Sequence, residues 1–419
     1  MKFVGDFHVH SRFSRATSKD LTIPNLDRWA AIKGITVMGT GDFTHPAWVQ
    51  DMKQYLEPAE EGLYKLRRPK GSEDTPTRFV LSSEISCIYS KGGAVRRIHL
   101  IVLAPSLQAA ENINTRLGWQ GNLKADGRPI LGIDAKEVVK IALDASPECI
   151  VIPAHAWTPW FSVFGSKSGF NSLEECFDEY TKYIYAIETG LSSDPAMNWR
   201  LSALDSIAVI SNSDSHSLAK IGREANVFNT ELSYAGIAEA IKKKDPSRFL
   251  FTVEFFPEEG KYHYDGHRLC GVSMKPEESK RHNNICPKCA RPLTIGVLNR
   301  VDELADRPGG FRPAGAIPFK SFVPLEEIIA DALGIGTVSK RVRDEYEKLI
   351  RATGSEFHIL LDADPSTLEN ATLPEIAEGI MRVREGRVKI EPGFDGEYGK
   401  IKIFQEGEQR ISTTQKSLF

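Results

Sequence analysis

Asp6, His8 and His10 stand two residues apart in the opening run Met1-Lys2-Phe3-Val4-Gly5-Asp6-Phe7-His8-Val9-His10. Apolar residues alternate with them, which is the period of a half-buried strand. Residues two apart share one face of a strand, so the three polar side chains are expected to enter one pocket. Two imidazoles spaced this way suit a divalent metal, because each can turn a ring nitrogen toward the same ion. The competing reading is a surface strand carrying two unpaired histidines. A second ligand-like cluster lies far along the chain, where His267-x-x-Cys270 precedes Cys286-Pro-Lys-Cys289 by fifteen residues. That is close to the spacing of a closed four-ligand structural zinc site. Asp265, His263 and His282 are the alternatives to His267.

The elements that must position these residues recur through the first 245 positions. Short runs rich in Val and Ile occur at Lys2–His8, Ile35–Asp42, Phe79–Ile88, Arg97–Leu103, Cys149–His155, Tyr183–Glu188 and Ile207–Asp214. They alternate with helical or looping stretches, which predicts a parallel α/β sheet or barrel. At or near the C-terminal end of each run sits a metal ligand or an acid: His8 and His10, Asp42, Glu84, His99, His155, Glu188, then Asp214 and His216. Barrel active sites gather on that rim of the strands. Six of the ten histidines fall in this region, five at run ends and His45 just past one. That placement favours a shared metal site over the surface reading. A carboxylate such as Glu84 can bridge two cations, and paired cations activate water and neutralise a phosphoryl group. No Ser-His-Asp arrangement or P-loop competes with that chemistry.

Two loops interrupt the pattern. Residues 60–78 carry Lys65, Arg67, Arg68 and Lys70, either as a solvated loop or as a phosphate-contacting arm. Residues 156–171 crowd Trp157, Trp160, Phe161, Phe164 and Phe170 around Lys167, just after His155. Such aromatics stack on bases or wedge into a duplex, or they pack as a lid. Arg223, after the Asp214/His216 motif, is either a phosphate contact or a surface ion pair.

The chain is divided into a catalytic part at 1–245, a Cys/His zinc module at 246–310 and a mainly helical part at 311–419. The Pro/Gly-rich linker Arg307–Pro318 spans the boundary between the last two. Helices are expected over Leu325–Leu333, Ser339–Ala352 and Leu373–Arg384, with a hairpin over Arg387–Phe404. Gly334-Ile335-Gly336 followed by Lys340, Arg341 and Arg343 is weakly similar to a helix-hairpin-helix clamp on a DNA backbone; an ordinary corner with a solvated basic face is the alternative. Gln415-Lys-Ser-Leu418-Phe419 resembles the first half of a docking box for the replication sliding clamp.

Composition sets the outer limits. An apolar fraction of 41% supports real cores, and a formal charge of −3 leaves any nucleic acid to be held by local basic patches. No run approaches the roughly 18 apolar residues of a membrane helix. Met1-Lys2-Phe3-Val4 runs straight into a strand, so no signal peptide is expected. Six cysteines do not make a disulfide framework, and Cys87, Cys149 and Cys176 are expected as buried thiols. The expected location is the cytoplasm.

The segments Asp6-Phe7-His8-Val9-His10, Gly39-Thr40-Gly41-Asp42, Glu84, His99, His155 and Asp214-Ser215-His216 resemble the successive motifs of the PHP phosphoesterase superfamily. With the cysteine module, including Asp265–Cys270 and Cys286–Gly296, and the helical tail, the whole chain resembles the endonuclease Q family of DNA-repair enzymes. The resemblance implies a distorted seven-stranded (β/α) barrel, and nicking 5′ of deaminated bases (uracil, hypoxanthine, xanthine) after base flipping, with abasic sites as further substrates. It implies one ion on His8, His10, Glu84 and Asp214, and a second on Glu84, His99 and His155. A third would use Asp42, His216 and a histidine that is missing from Ser11–Thr17, and Asp42 itself replaces a usual histidine. Asp6 and Glu188 are implied as supports. Zn²⁺, Mn²⁺ or Mg²⁺ would serve the two or three sites of the barrel, and Zn²⁺ the cysteine site. A small-molecule phosphomonoesterase and a non-catalytic DNA scaffold are the alternatives.

Overall fold

Nine strands carry the part of the fold that matters for the site: β1 Lys2–Asp6, β2 Val37–Gly39, β3 Arg78–Lys91, β4 Ala94–Ala104, β5 Ile150–Pro153, β6 Ala186–Glu188, β7 Ala208–Ile210, β8 Ala225–Asn229 and β9 Phe249–Glu254. The computed structural model describes residues 1–72 and 74–405. β1 pairs in parallel with β2, and β2 with β3. The mixed α/β class is as expected, but the uniformly parallel order is not. β3 and β4 form a long antiparallel hairpin, and β4 pairs antiparallel with β5. The cause is local. Gly92 and Gly93 both adopt positive φ, 62° and 75°, as a tight two-residue hairpin turn requires. No helix intervenes, so the two strands must run in opposite directions.

The hairpin register pairs Glu84 with Ile101 and Ser86 with His99. Glu84 and His99 are therefore diagonal neighbours on one face. β6 and β7 pair in parallel as a separate two-stranded sheet. β8 and β9 extend the main sheet from the other side of β1, and Phe319–Ser321 continues it from β9.

Among the described residues, the ladders do not close into the implied seven-stranded barrel. No ladder joins β5 to β6 or β7 to β1. Single bonds span those gaps: the Ala156 N–H donates to the Glu188 carbonyl (2.9 Å) and the His10 N–H to the Ser215 carbonyl (3.1 Å). The Phe7 N–H donates to Asn212 Oδ1 at 2.8 Å. Even so, Phe3, Val37, Val80, Ile101, Ile150, Ala186 and Ala208 from β1 to β7 join one apolar cluster. Their neighbours Val4, Met38, Phe79, Leu100, Val151, Ile187 and Val209 join a second. Burial on both faces explains why the strands read as continuous apolar runs.

Helices Leu325–Leu333, Lys340–Thr353 and Pro374–Arg384 follow, with a hairpin of Lys389–Glu391 and Lys400–Lys402, all close to expectation. Ile328, Ile329, Ile376 and Ile380 are buried in the same core as the main sheet. No described helix is long and apolar enough to cross a membrane. The clamp-like segment 415–419 lies outside the described residues.

Candidate metal centres and active site

Beyond Asp6 the first strand stops pairing regularly, and among the described residues only a bridge from Val9 to Ser215 continues it. His8 and His10 flank that bridge. Ligand atoms of His8, His10, Glu84 and Asp214 lie within 4.8 Å of one another, and so do those of Glu84, His99 and His155. Glu84 belongs to both sets. Its Oε1 is 2.6 Å from His99 Nδ1 and 3.1 Å from His155 Nε2, while its Oε2 is 3.3 Å from His10 Nε2 and 3.6 Å from His8 Nε2.

The outer nitrogens of three of these rings are held in place. His8 Nδ1 meets the Glu188 carboxylate at 3.0 Å, His10 Nδ1 meets Asp42 Oδ1 at 3.1 Å, and His155 Nδ1 meets Thr158 Oγ1 at 3.1 Å. This is how metal-binding histidines are usually oriented. His8 Nε2 is buried and has no hydrogen-bond partner among the described residues. A buried nitrogen without a partner, aimed at two carboxylates, fits a divalent cation.

Electrostatics agree. Burial alone would lower the His8 and His10 imidazoles, yet the acids around them lift both well above the usual range. Burial would raise Glu84, but His99 and His8 hold it well below the carboxylate range. His99 is pushed down to about 4 by burial. The cluster thus gathers negative charge that protons or cations must balance. Backbone strain marks the same place. Asp42, His155 and Asp214 have φ of 47°, 31° and 44°, a region that costs non-glycine residues about 1–3 kcal/mol.

The remaining expected residues occupy several places. Asp42 sits behind His10 and also accepts the Ser11 N–H (2.7 Å), the Ser11 hydroxyl and the Ser14 hydroxyl. His216 lies beside the cluster, its ring 4.7 Å from that of His10. His45 stacks on Phe13. Asp6 accepts the N–H groups of Ser213 and Gly222, and burial raises it to about 6. Arg223 donates to the carbonyls of Ser213 and Asp214 and so braces that loop. Trp157 is core, with its indole N–H on Asn198. Trp160 is 48% exposed under Arg97, and the Phe161 ring lies 4.6 Å from His99. Lys167, Lys340 and Arg341 are exposed. Arg67 faces Glu57, and Arg68 is committed to the buried Asp27. One residue was not expected: Arg128 Nη1 donates to Glu84 Oε2 at 3.1 Å.

The ligand atoms of His267, Cys270, Cys286 and Cys289 also converge within 4.8 Å. His263 instead stacks on Tyr264, and Asp265 is spent on the N–H of Gly296 and the side chains of Ser279 and Asn299. Three cysteine sulfurs and one imidazole nitrogen suit a tetrahedral zinc ion.

A crystal structure of endonuclease Q in complex with a 27-mer duplex bearing an abasic lesion at the active site is 30% identical, with a TM-score of 0.83, over 97% of this chain and 98% of that one. The chain belongs to the endonuclease Q family. The lesion-specific endonuclease PfuEndoQ of Pyrococcus furiosus is 29% identical to this endonuclease Q family member, with a TM-score of 0.85 over 97% and 96% of the two chains. Residues 324–387 match the family described as the MJ0043 C-terminal domain. The uncharacterized protein MJ0043 of Methanocaldococcus jannaschii is 34% identical over 262 residues, which are 59% of this chain and 31% of that protein.

Proposed function

We propose that this chain is a metal-dependent endodeoxyribonuclease that hydrolyses the phosphodiester 5′ of deaminated bases (uracil, hypoxanthine or xanthine) and of abasic sites. The observation that carries the reading is Glu84 shared between two ligand sets, with the partnerless His8 Nε2 aimed into one of them. His8, His10, Glu84 and Asp214 would hold one divalent ion, and Glu84, His99 and His155 a second. Such ions supply an activated water and neutralise charge on the attacked phosphoryl group. Glu188, Asp42 and Thr158 fix the ring orientations that keep the inner nitrogens directed at the site. Asp42 and His216 are the candidate holders of a third ion.

His267, Cys270, Cys286 and Cys289 would hold a structural Zn²⁺ within segment 246–310, although β9 of that segment and Phe319–Ser321 of segment 311–419 both continue the sheet of segment 1–245. Lesion reading is assigned to the 156–171 loop, where Trp160 and Lys167 are exposed and half-buried Phe161 lies with its ring 4.6 Å from that of His99. Flipping a base costs a few kcal/mol, and least where pairing is already poor. Lys340 and Arg341 would grip the duplex backbone. Cytoplasmic work on chromosomal DNA, with the sliding clamp engaged through 415–419, completes the reading.

The test is a duplex carrying one uracil, hypoxanthine, xanthine or abasic site, incubated with Zn²⁺, Mn²⁺ or Mg²⁺. A single nick 5′ of the lesion is expected, with the undamaged duplex left intact. Glu84→Gln removes several kcal/mol of charge stabilisation, so its rate falls by about 10³-fold or more at 1.36 kcal/mol per decade. Lesion duplexes left uncut with all three metals would sink the reading.

A further inference from the structure

Arg128 lies in the sequence Asp126-Gly127-Arg128-Pro129, between a helix and the short strand Ile130–Leu131. Its loop is pinned to the elements that carry the metal-ligand candidates. The Thr44 hydroxyl donates to the Gly127 carbonyl (3.0 Å), and the Gly127 N–H donates to the Phe13 carbonyl (3.0 Å). The Ser86 N–H, two residues from Glu84 on β3, donates to the Pro129 carbonyl (3.0 Å). Asp126 accepts the N–H groups of Arg15 and Arg128. Only glycine fits at 127, since an added Cβ would stand 2.3 Å from Asp42 Oδ2.

From this support the guanidinium reaches the rim of the cluster, with its side chain 24% exposed. Within the described residues it makes one side-chain hydrogen bond, to Glu84 Oε2. Glu84 does not depend on it, because His10 and His8 face the same oxygen at 3.3 and 3.6 Å and His99 and His155 face the other. A fixed cation beside a site that collects cations is repulsive unless an anion enters with them. A guanidinium offers a planar fork of donors that matches phosphate oxygens.

We infer that Arg128 binds the phosphoryl group under attack, turning its fork from Glu84 to the non-bridging oxygens when divalent ions occupy the Glu84 ligand sets. The inference rests on the phosphodiesterase reading above. The arginine stabilises the charge that grows on the phosphoryl oxygens, and it adds no proton-transfer step.

The test uses the full metal-loaded chain and two variants, Arg128→Met and Arg128→Lys. Inorganic phosphate is titrated calorimetrically into Mn²⁺-loaded protein, with metal stoichiometry measured on the same samples, and nicking of an abasic duplex is followed in parallel. Arg128→Met is expected to bind phosphate at least about 10-fold more weakly and to lose about 10²-fold in kcat, the usual cost of one oriented donor. Arg128→Lys should recover part of both, since it keeps the charge without the fork. Metal stoichiometry should not change. Unaltered phosphate affinity in Arg128→Met overturns the assignment, and so does loss of metal. If wild type binds phosphate through Arg128 but nicks no lesion duplex, the arginine assignment stands and the endonuclease reading falls.

Discussion

Glu188 belongs to neither ligand set, yet it decides which nitrogen of His8 is free. Its carboxylate meets His8 Nδ1 at 3.0 Å and accepts the His155 N–H (2.8 Å) and the Asn212 side-chain amide (2.9 Å). Glu188→Gln keeps the shape but replaces one acceptor with a donor. Supports of this kind are worth about 10–100-fold in metal affinity, so Mn²⁺ titration of the variant should show that weakening with an unchanged circular dichroism spectrum. The ligand candidates were legible because metal chemistry admits few residue types and the strand period places them together. Arg128 was not legible. Gly127-Arg128-Pro129 reads as an ordinary turn, and only the tertiary fold brings residue 128 against residue 84. The aromatic loop shows a second limit. Trp157 and Trp160 look alike in sequence, yet one is 1% exposed and the other 48%.

Elements were easier to read than their directions. The apolar runs located β2 to β7, because strands buried on both faces are rich in Val, Ile and Leu, while the alternation of Asp6, His8 and His10 with apolar residues marked β1. The direction of β4 depended on Gly92 and Gly93, two residues that outweigh the general alternation of strands and helices. A similar local dependence holds for the Arg128 loop. Gly127→Ala should cost about 1–3 kcal/mol, as overpacking does, read by chemical denaturation. The end of β9 gives a pH-dependent prediction. Burial raises Glu254 from 4.5 to about 8, against hydrogen bonds from Thr252 and Ser211. Between those pH values the folded chain keeps a proton that the unfolded chain releases. Stability is then full below about pH 4.5 and falls as pH rises through 8. Glu254→Gln should flatten that slope. The fall in Tm between acid and alkaline buffer should be smaller in the variant by at least about 2 °C.

At the scale of the whole molecule, one buried ion pair ties the first helix to the C-terminal helices. Lys33 closes the helix Ile23–Lys33 beside β2, and its ammonium lies 2.6 Å from Glu356 Oε2. The two side chains are 5% and 7% exposed. Glu356 also accepts the Tyr346 hydroxyl (2.6 Å) and the Leu325 N–H (3.2 Å), so a single carboxylate gathers three parts of the C-terminal helices. Nothing in the sequence could link positions 33 and 356, because neither lies in a motif and only the docking of the helices makes them neighbours. Lys33→Met would leave a buried carboxylate without its cation, which costs about 3–5 kcal/mol. Glu356→Gln removes the charge but keeps an acceptor for Tyr346 and Leu325. The double variant should therefore be less destabilised than the sum of the two single variants, since residues in one network couple by about 0.5–3 kcal/mol. Urea denaturation of the four proteins measures that coupling. Strictly additive losses would mean that the pair does not hold the helical region, with its exposed Lys340 and Arg341, against the sheet that carries the metal-ligand candidates.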